Sequence, residues 1–205
     1  MTDILDIYNV SRETYQKLKD YETLVLEWNS KMNLISKSSA EHIWERHILD
    51  SLQLIKFIRQ EDEIMYDFGS GAGFPAIVIA IVAEQFFPNL KIYMVESIGK
   101  KAGFLVEVKK RLNLNVEVVN DRIENIKNPK ADVITSRAMA ALTKLFEYSK
   151  PFCSEKTRLI FPKGSSWEEE VKIANEKWKY IYSEYKSETD ENGRILLISN
   201  LRRKR

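Results

Sequence analysis

Apolar side chains recur along this chain with two different periods, and the period changes near residue 60. From Ser11 to Trp28, the residues Tyr15, Leu18, Val25 and Trp28 return at helical spacing, and Ser11 has the hydroxyl needed to cap the first turn. Ser38 and Glu41 stand at capping-box separation. Trp44, Ile48, Leu52, Ile55 and Ile58 then mark one face, which predicts a second helix running towards Arg59.

Beyond Gln60, short β-rich runs alternate with helical stretches. The runs are 64–68, 91–95, 115–119, 132–135 and 157–161, and the helices between and after them fall at 75–86, 100–112, 139–151 and 165–178. Strands separated by crossover helices predict a parallel sheet. The last third breaks the alternation, because 180–185 and 194–199 flank a polar stretch containing the turn pair Asn192-Gly193. The final strand is therefore expected to run antiparallel. The whole chain, 1–205, reads as a single α/β domain, with an N-terminal helical extension (1–60) packed on a core (61–205).

Composition narrows the picture by exclusion. With 32 Lys and Arg against 30 Asp and Glu, the formal charge is +2, so a surface for a polyanion has to be local. Cys153 is the single cysteine and cannot form an intrachain disulfide. His42 and His47, five residues apart, do not share a helical face as a metal pair, and no metal is expected. The first residues lack a basic run followed by an apolar core, and the longest apolar run, 74–83, is about half the roughly 20 residues a membrane span requires. A cytoplasmic protein without a membrane partner is the expectation.

The segment 67–75, DFGSGAGFP, leads from a strand into a helix. In open α/β sheets ligands bind at the carboxyl edge, and Gly69, Gly71 and Gly73 let the backbone turn and approach a ligand without Cβ collisions. A dinucleotide loop reads G-x-G-x-x-G; here the spacing is Gly69-x-Gly71-x-Gly73, and position 74 is Phe. Glu96, at the end of the second strand, is placed to accept hydrogen bonds from both hydroxyls of a ribose. Asp67 favours a cationic amino group over a phosphate, which points to S-adenosylmethionine rather than a nicotinamide dinucleotide. The plain alternative is a tight strand-to-helix connection with no ligand.

Further segments carry a likeness to a known family. They are 32–36 (MNLIS), 46–51 (RHILDS), 96–101 (ESIGKK) with Phe104-Leu105, 122–124 (RIE), 136–138 (SRA) and 161–164 (FPKG). Together with the glycine loop they make the chain resemble, over nearly its full length, the bacterial small-subunit rRNA methyltransferase G family, also called glucose-inhibited division protein B. The resemblance implies a Rossmann-like class I S-adenosylmethionine-dependent methyltransferase, with a seven-stranded, mostly parallel sheet and an antiparallel last strand. It implies methyl transfer to N7 of a guanine in the decoding region of 16S rRNA, with free 16S rRNA or the small ribosomal subunit as partner; a monomer is the separate expectation. By the same likeness Gly69, Phe74, Ile123, Glu124 and Arg137 line the cofactor site, beside Glu96 and together with Gly71 and Gly73 of the loop. Ala76 stands where the family has glycine.

Guanine N7 has a lone pair and no proton, so such chemistry needs positioning rather than a general base. The fourth strand ends TSRA, without the Asn-Pro-Pro-Tyr type of sequence that holds an exocyclic amine. Arg137 carries donors only and can serve the cofactor carboxylate or guanine O6. Arg46 and His47, with Asp50, either flank the cofactor mouth and the RNA or form a helix-packing network. Lys163 follows the fifth strand at the ligand edge and is the strongest single candidate for RNA contact. Basic runs at 100–101, 109–111 and 202–205 are further candidates, the C-terminal run first among them. Two other functions share these features: a small-molecule methyltransferase, which needs an enclosed pocket with little basic rim, and a non-catalytic RNA-binding protein, for which the glycine loop is unexpectedly intact.

Overall fold

The computed structural model describes residues 8–127 and 130–204. Helix α1 (Arg12–Asn29) opens under Ser11, whose Oγ accepts from the Thr14 N–H at 3.1 Å, as its sequence predicts. The following segment departs from expectation. Ser36, not Ser38, caps the short α2 (Lys37–Ala40), and Glu41 stands beyond its end. The chain then passes through a π-helical turn (Trp44–Leu49), a single α-turn α3 (Asp50–Leu52) and a 3₁₀ turn (Gln53–Phe57), so no continuous helix reaches Arg59. Hydrophobic spacing found the buried face, with Ile48 and Leu52 fully enclosed, but it does not report the hydrogen-bond register beneath that face.

Among the described residues, seven strands form one sheet in the order β3-β2-β1-β4-β5-β7-β6. These are β1 (Ile64–Phe68), β2 (Lys91–Val95), β3 (Val116–Val119), β4 (Ala131–Thr135), β5 (Cys153–Lys163), β6 (Trp178–Lys186) and β7 (Arg194–Arg203). The first five are parallel, and β7 runs antiparallel to both β5 and β6, so the expected reversed last strand is present. The loop from β6 to β7 spans residues 187–193 and closes through a Gly193 N–H to Asp190 carbonyl bond of 2.9 Å. Asn192-Gly193 is therefore part of a longer loop and not a two-residue hairpin turn.

Alternation along the strands feeds two cores. Met65, Ile92, Met94, Val133 and Ile160 face α4 (Ala76–Phe86), α5 (Gly99–Leu112) and the extension. Tyr66, Phe68, Ile134, Leu159 and Phe161 face α6 (Leu142–Ser149) and α7 (Trp167–Lys177). Helix α4 is buried from Ala76 to Ala83 because it is packed on one side against the sheet and on the other against α1 and α3. Leu18, Tyr21, Val25, Ile48 and Leu52 of the extension have no exposed surface. At about 1.5–3 kcal/mol per buried large apolar side chain, this region is integral to the core.

The order 3-2-1-4-5 places a topological switch point between β1 and β4, where the crossovers depart in opposite directions and leave a crevice at the carboxyl ends. The glycine loop emerges there. In this way the fold sets the position of the site before any functional side chain is considered.

Candidate active site

A cavity of about 420 Å³ opens at that crevice, within the usual size range for small-molecule sites. Gly69 and Gly71 form one wall, Glu96 to Ile98 a second, Ile123 and Glu124 a third, and Arg137 to Ala140 close it from β4. The glycines adopt φ values of +68°, +55° and +95° at positions 69, 71 and 73, a region L side chains rarely enter. The loop is anchored to the neighbouring strand, with the Gly69 and Ser70 N–H groups bonded to the Val95 carbonyl at 2.9 and 3.1 Å.

Glu96 is 5 % exposed and held from two sides: Oε2 accepts from the Gly71 N–H at 2.9 Å and Oε1 from the Ile98 N–H at 2.8 Å. Each carboxylate oxygen retains lone pairs for a further donor, so the group is oriented yet still able to receive ribose hydroxyls. Asp67 is 1 % exposed, behind the loop. Its Oδ1 accepts from Thr135 Oγ1 at 2.7 Å and its Oδ2 is buried without a partner. Burial raises the carboxyl to about 7, against the opposing pull of the hydrogen bond from Thr135. Asp67 is not among the residues that line the cavity.

Arg137 is drawn towards the extension. Nη1 donates to the Arg46 carbonyl and to Asp50 Oδ2, both at 3.0 Å, and Nη2 meets His47 Nδ1 at 2.5 Å. Because arginine has donors only, His47 Nδ1 is the acceptor, and the imidazole carries its proton on Nε2, a buried atom without a partner. Burial, with the adjacent Arg137 and Arg46 charges, lowers His47 to about 3, which leaves the ring neutral. The ring stacks on Phe74 with centroids 4.7 Å apart. Arg137 therefore spends three of its five N–H donors on the extension and keeps Nε–H and one Nη2–H. The π-helical turn supplies the Arg46 carbonyl that receives one of them.

The sequence candidates thus separate. Gly69, Gly71, Glu96, Ile123, Glu124 and Arg137 surround one cavity. Gly73 and Phe74 lie behind it: a Cβ on Gly73 would sit 2.6 Å from Ile77 Cγ1, and Phe74 packs against Tyr21 and His47. Of Arg46 only the backbone touches the site, through Arg137, and His47 belongs to a packing network with Arg137 and Phe74.

Lys163 lies against a second cavity of about 620 Å³, where Nζ donates to the Ala140 carbonyl at 3.1 Å and pairs with Glu170 at 2.6 Å. Of the other basic runs, 100–101 places Lys101 on the first cavity, and the remaining two are remote. Lys109 and Arg111 pair with Glu117 and Glu107 at the far end of α5. Arg203 on β7 lies nine residues from Arg194 at the cavity edge, roughly 30 Å along an extended strand. Arg205 is outside the described residues. Sequence reading missed Met139 and Tyr148 of the first cavity and Glu170 and Arg194 of the second. Tyr148 and Glu170 come from helix faces whose apolar spacing gives no sign of a site.

Comparison with known proteins addresses the family and the fold. The family model described as rRNA small subunit methyltransferase G matches residues 14–193. The Ribosomal RNA small subunit methyltransferase G of Orientia tsutsugamushi (strain Ikeda) is 40% identical over 197 residues, covering 96% of each chain. That of Bartonella tribocorum is 43% identical over 202 residues, covering 97% of this chain and 94% of its relative. Among solved structures, a mutant of MtNAS in complex with S-adenosylmethionine superposes with a TM-score of 0.59 at 15% identity, over 90% of this chain and 75% of the other. An O-methyltransferase from Bacillus cereus in complex with SAH gives 0.57 at 16% identity, over 88% and 91%. At these identities the two structures speak for the class I methyltransferase fold alone. The sequence relatives and the family model go further: this chain belongs to the rRNA small subunit methyltransferase G family.

Proposed function

We propose that the protein transfers the methyl group of S-adenosylmethionine to N7 of a guanine in the decoding region of 16S rRNA. The observation that carries the reading is the wall formed by Arg137, Ala138, Met139 and Ala140, which is common to the first cavity and to the larger one beside it. One cavity has the fittings for the cofactor: an oriented carboxylate at Glu96, a glycine backbone open to close approach, and the Arg137 donors that remain for a carboxylate. When bound, the cofactor supplies an electrophilic methyl group on sulfonium. The chain's own contribution is to hold the two reactants at the shared wall, to exclude water there, and to present fixed donors and dipoles to the charge that moves between them.

The carboxylates that line the second cavity are engaged, Asp50 by Arg137, Glu170 by Lys163 and Asp190 by the Asn192 N–H, which suits a target such as N7 that needs no base. His47 is neutral with Nδ1 engaged by Arg137, and Asp67 is enclosed behind the loop with Oδ1 engaged by Thr135. Neither is placed to take a proton from a substrate in the second cavity, and N7 has none to give. A monomer is the working unit of this reading. Among the described residues no helix is long and apolar enough to cross a membrane, and a cytoplasmic enzyme acting on ribosomal RNA accords with the single free thiol.

Incubation with tritiated S-adenosylmethionine and either free 16S rRNA or assembled small subunits tests the reading. Label is expected in RNA and depends on an intact glycine loop. Label confined to a small metabolite would exclude it.

A further inference from the structure

The second cavity is lined by three cations whose circumstances differ. Arg137 is paired with Asp50, and Lys163 is paired with Glu170 while it also donates to the Ala140 carbonyl. Lys163 is thus a strut that fastens the shared wall to α7. Arg194, at the start of β7, makes no ion pair among the described residues. Its Nη1 donates to the carbonyls of Glu191 at 3.2 Å and Gly193 at 2.8 Å, and its Nε–H is buried with no acceptor. The guanidinium also lies 5.9 Å from the ring centroid of Trp167.

Two backbone carbonyls therefore fix one end of a group that is always charged, and the Nε–H and Nη2–H edge is left without a protein partner. Those two donors are parallel and match two oxygens of a phosphate. A buried guanidinium N–H without an acceptor destabilises the free protein, and an arriving anion removes that penalty.

We propose that this cavity receives the target guanosine, turned out of its RNA strand, and that Arg194 grips the phosphate of that nucleotide through its Nε–Nη2 edge. The base then reaches the wall shared with the cofactor cavity, and the phosphate contact fixes its register without reading its identity. The proposal rests on methyl transfer to RNA as set out above. It assigns to Arg194 the backbone contact that chain position alone suggested for Lys163.

The test compares wild type, Arg194→Gln and Arg194→Lys in transfer to small subunits, with guanosine 5′-monophosphate and guanosine as competing inhibitors. In wild type the nucleotide is expected to inhibit at least about tenfold better than the nucleoside, the counterpart of about 1.4 kcal/mol. In Arg194→Gln that ratio falls to about one, and the plot of log affinity for RNA against log salt becomes shallower by about 0.7, one phosphate contact on a single strand. Arg194→Lys retains part of both. Calorimetric affinity for S-adenosylmethionine stays unchanged, since Arg194 is not part of the first cavity. A role limited to bracing the loop would lower thermal stability without moving the salt slope or the nucleotide preference. Equal inhibition of wild type by the two compounds, or an Arg194→Gln enzyme that keeps the ratio and slope, overturns the proposal. A wild type that labels no RNA defeats the underlying reading instead, before any variant is compared.

Discussion

Gly71 and Gly73 lie two residues apart in one loop, yet the structure assigns them opposite consequences on substitution by alanine. At Gly71 φ is +55° and an added Cβ meets only the Gly69 carbonyl oxygen, at an ordinary 3.7 Å. The stability cost is then the left-handed backbone penalty, about 1–2 kcal/mol. In a domain of this size that lowers Tm by about 2–8 °C. The methyl group, however, stands on the cavity wall beside the N–H that orients Glu96. Affinity for S-adenosylmethionine should fall at least roughly tenfold, or about 1.4 kcal/mol.

At Gly73 φ is +95°, and the Cβ would lie 2.6 Å from Ile77 Cγ1, 2.8 Å from Tyr21 Oη and 3.2 Å from Leu105 Cδ2. Overpacking adds about 1–3 kcal/mol to a backbone strain of about 1–3 kcal/mol. Taken at about 4 kcal/mol, this lowers Tm by roughly 8–16 °C. Affinity measured on the remaining folded protein should change less than in Gly71→Ala. Calorimetric titration paired with scanning calorimetry separates the two. A Gly71→Ala protein that binds like wild type, or a Gly73→Ala protein that melts like wild type, would refute the division of the loop into a ligand-facing and a core-facing glycine.

Arg137→Ala removes the guanidinium common to both cavities while Asp50 keeps its bonds from Gln53 and Thr189, so the fold should survive and single-turnover methyl transfer should drop by roughly tenfold to a hundredfold, the worth of one charge-assisted hydrogen bond; undiminished transfer would take Arg137 out of the site. Glu96→Ala should weaken S-adenosylmethionine binding by roughly the same factor, with calorimetry as the measure, because it deletes the ribose acceptor and releases the Gly71 and Ile98 N–H groups together. Asp67 binds a proton in the folded state up to about pH 7, whereas the unfolded carboxyl releases it near 3.8. The native state therefore holds more protons across that window, and this group makes stability fall as pH rises from about 4 to about 7. Asp67→Asn should remove that component from a plot of Tm against pH, and an unaltered slope would contradict the burial argument.

Much of the fold is legible in the chain because its signals are local. Residues 64–68 and 91–95 form strands with the predicted boundaries, since short β-rich runs there are bounded by turns and helices of different period. The cofactor side of the site was legible for the same reason: Gly69, Gly71 and Glu96 sit at the ends of two adjacent strands, and strand ends can be read from sequence. What escaped depends on register or on distant pairing. The π-helical turn at Trp44–Leu49 preserves the apolar face that a continuous helix would show, so periodicity cannot distinguish them. Arg194 is 57 residues from Arg137, and only the antiparallel pairing of β7 with β5 brings it to the same cavity. The same strand carries the C-terminal basic run away from the ligand edge.

The most direct test is the position of the transferred methyl group. Small subunits or 16S rRNA lacking the modification are incubated with the protein and S-adenosylmethionine, and the RNA is then reduced and cleaved at 7-methylguanosine. A single cleavage site in the decoding region is expected, present with wild type and lost with Gly71→Asp, which sets a second carboxylate beside Glu96. Methyl label that enters the RNA but resists this cleavage, because it lies on another atom or another base, would contradict transfer to guanine N7.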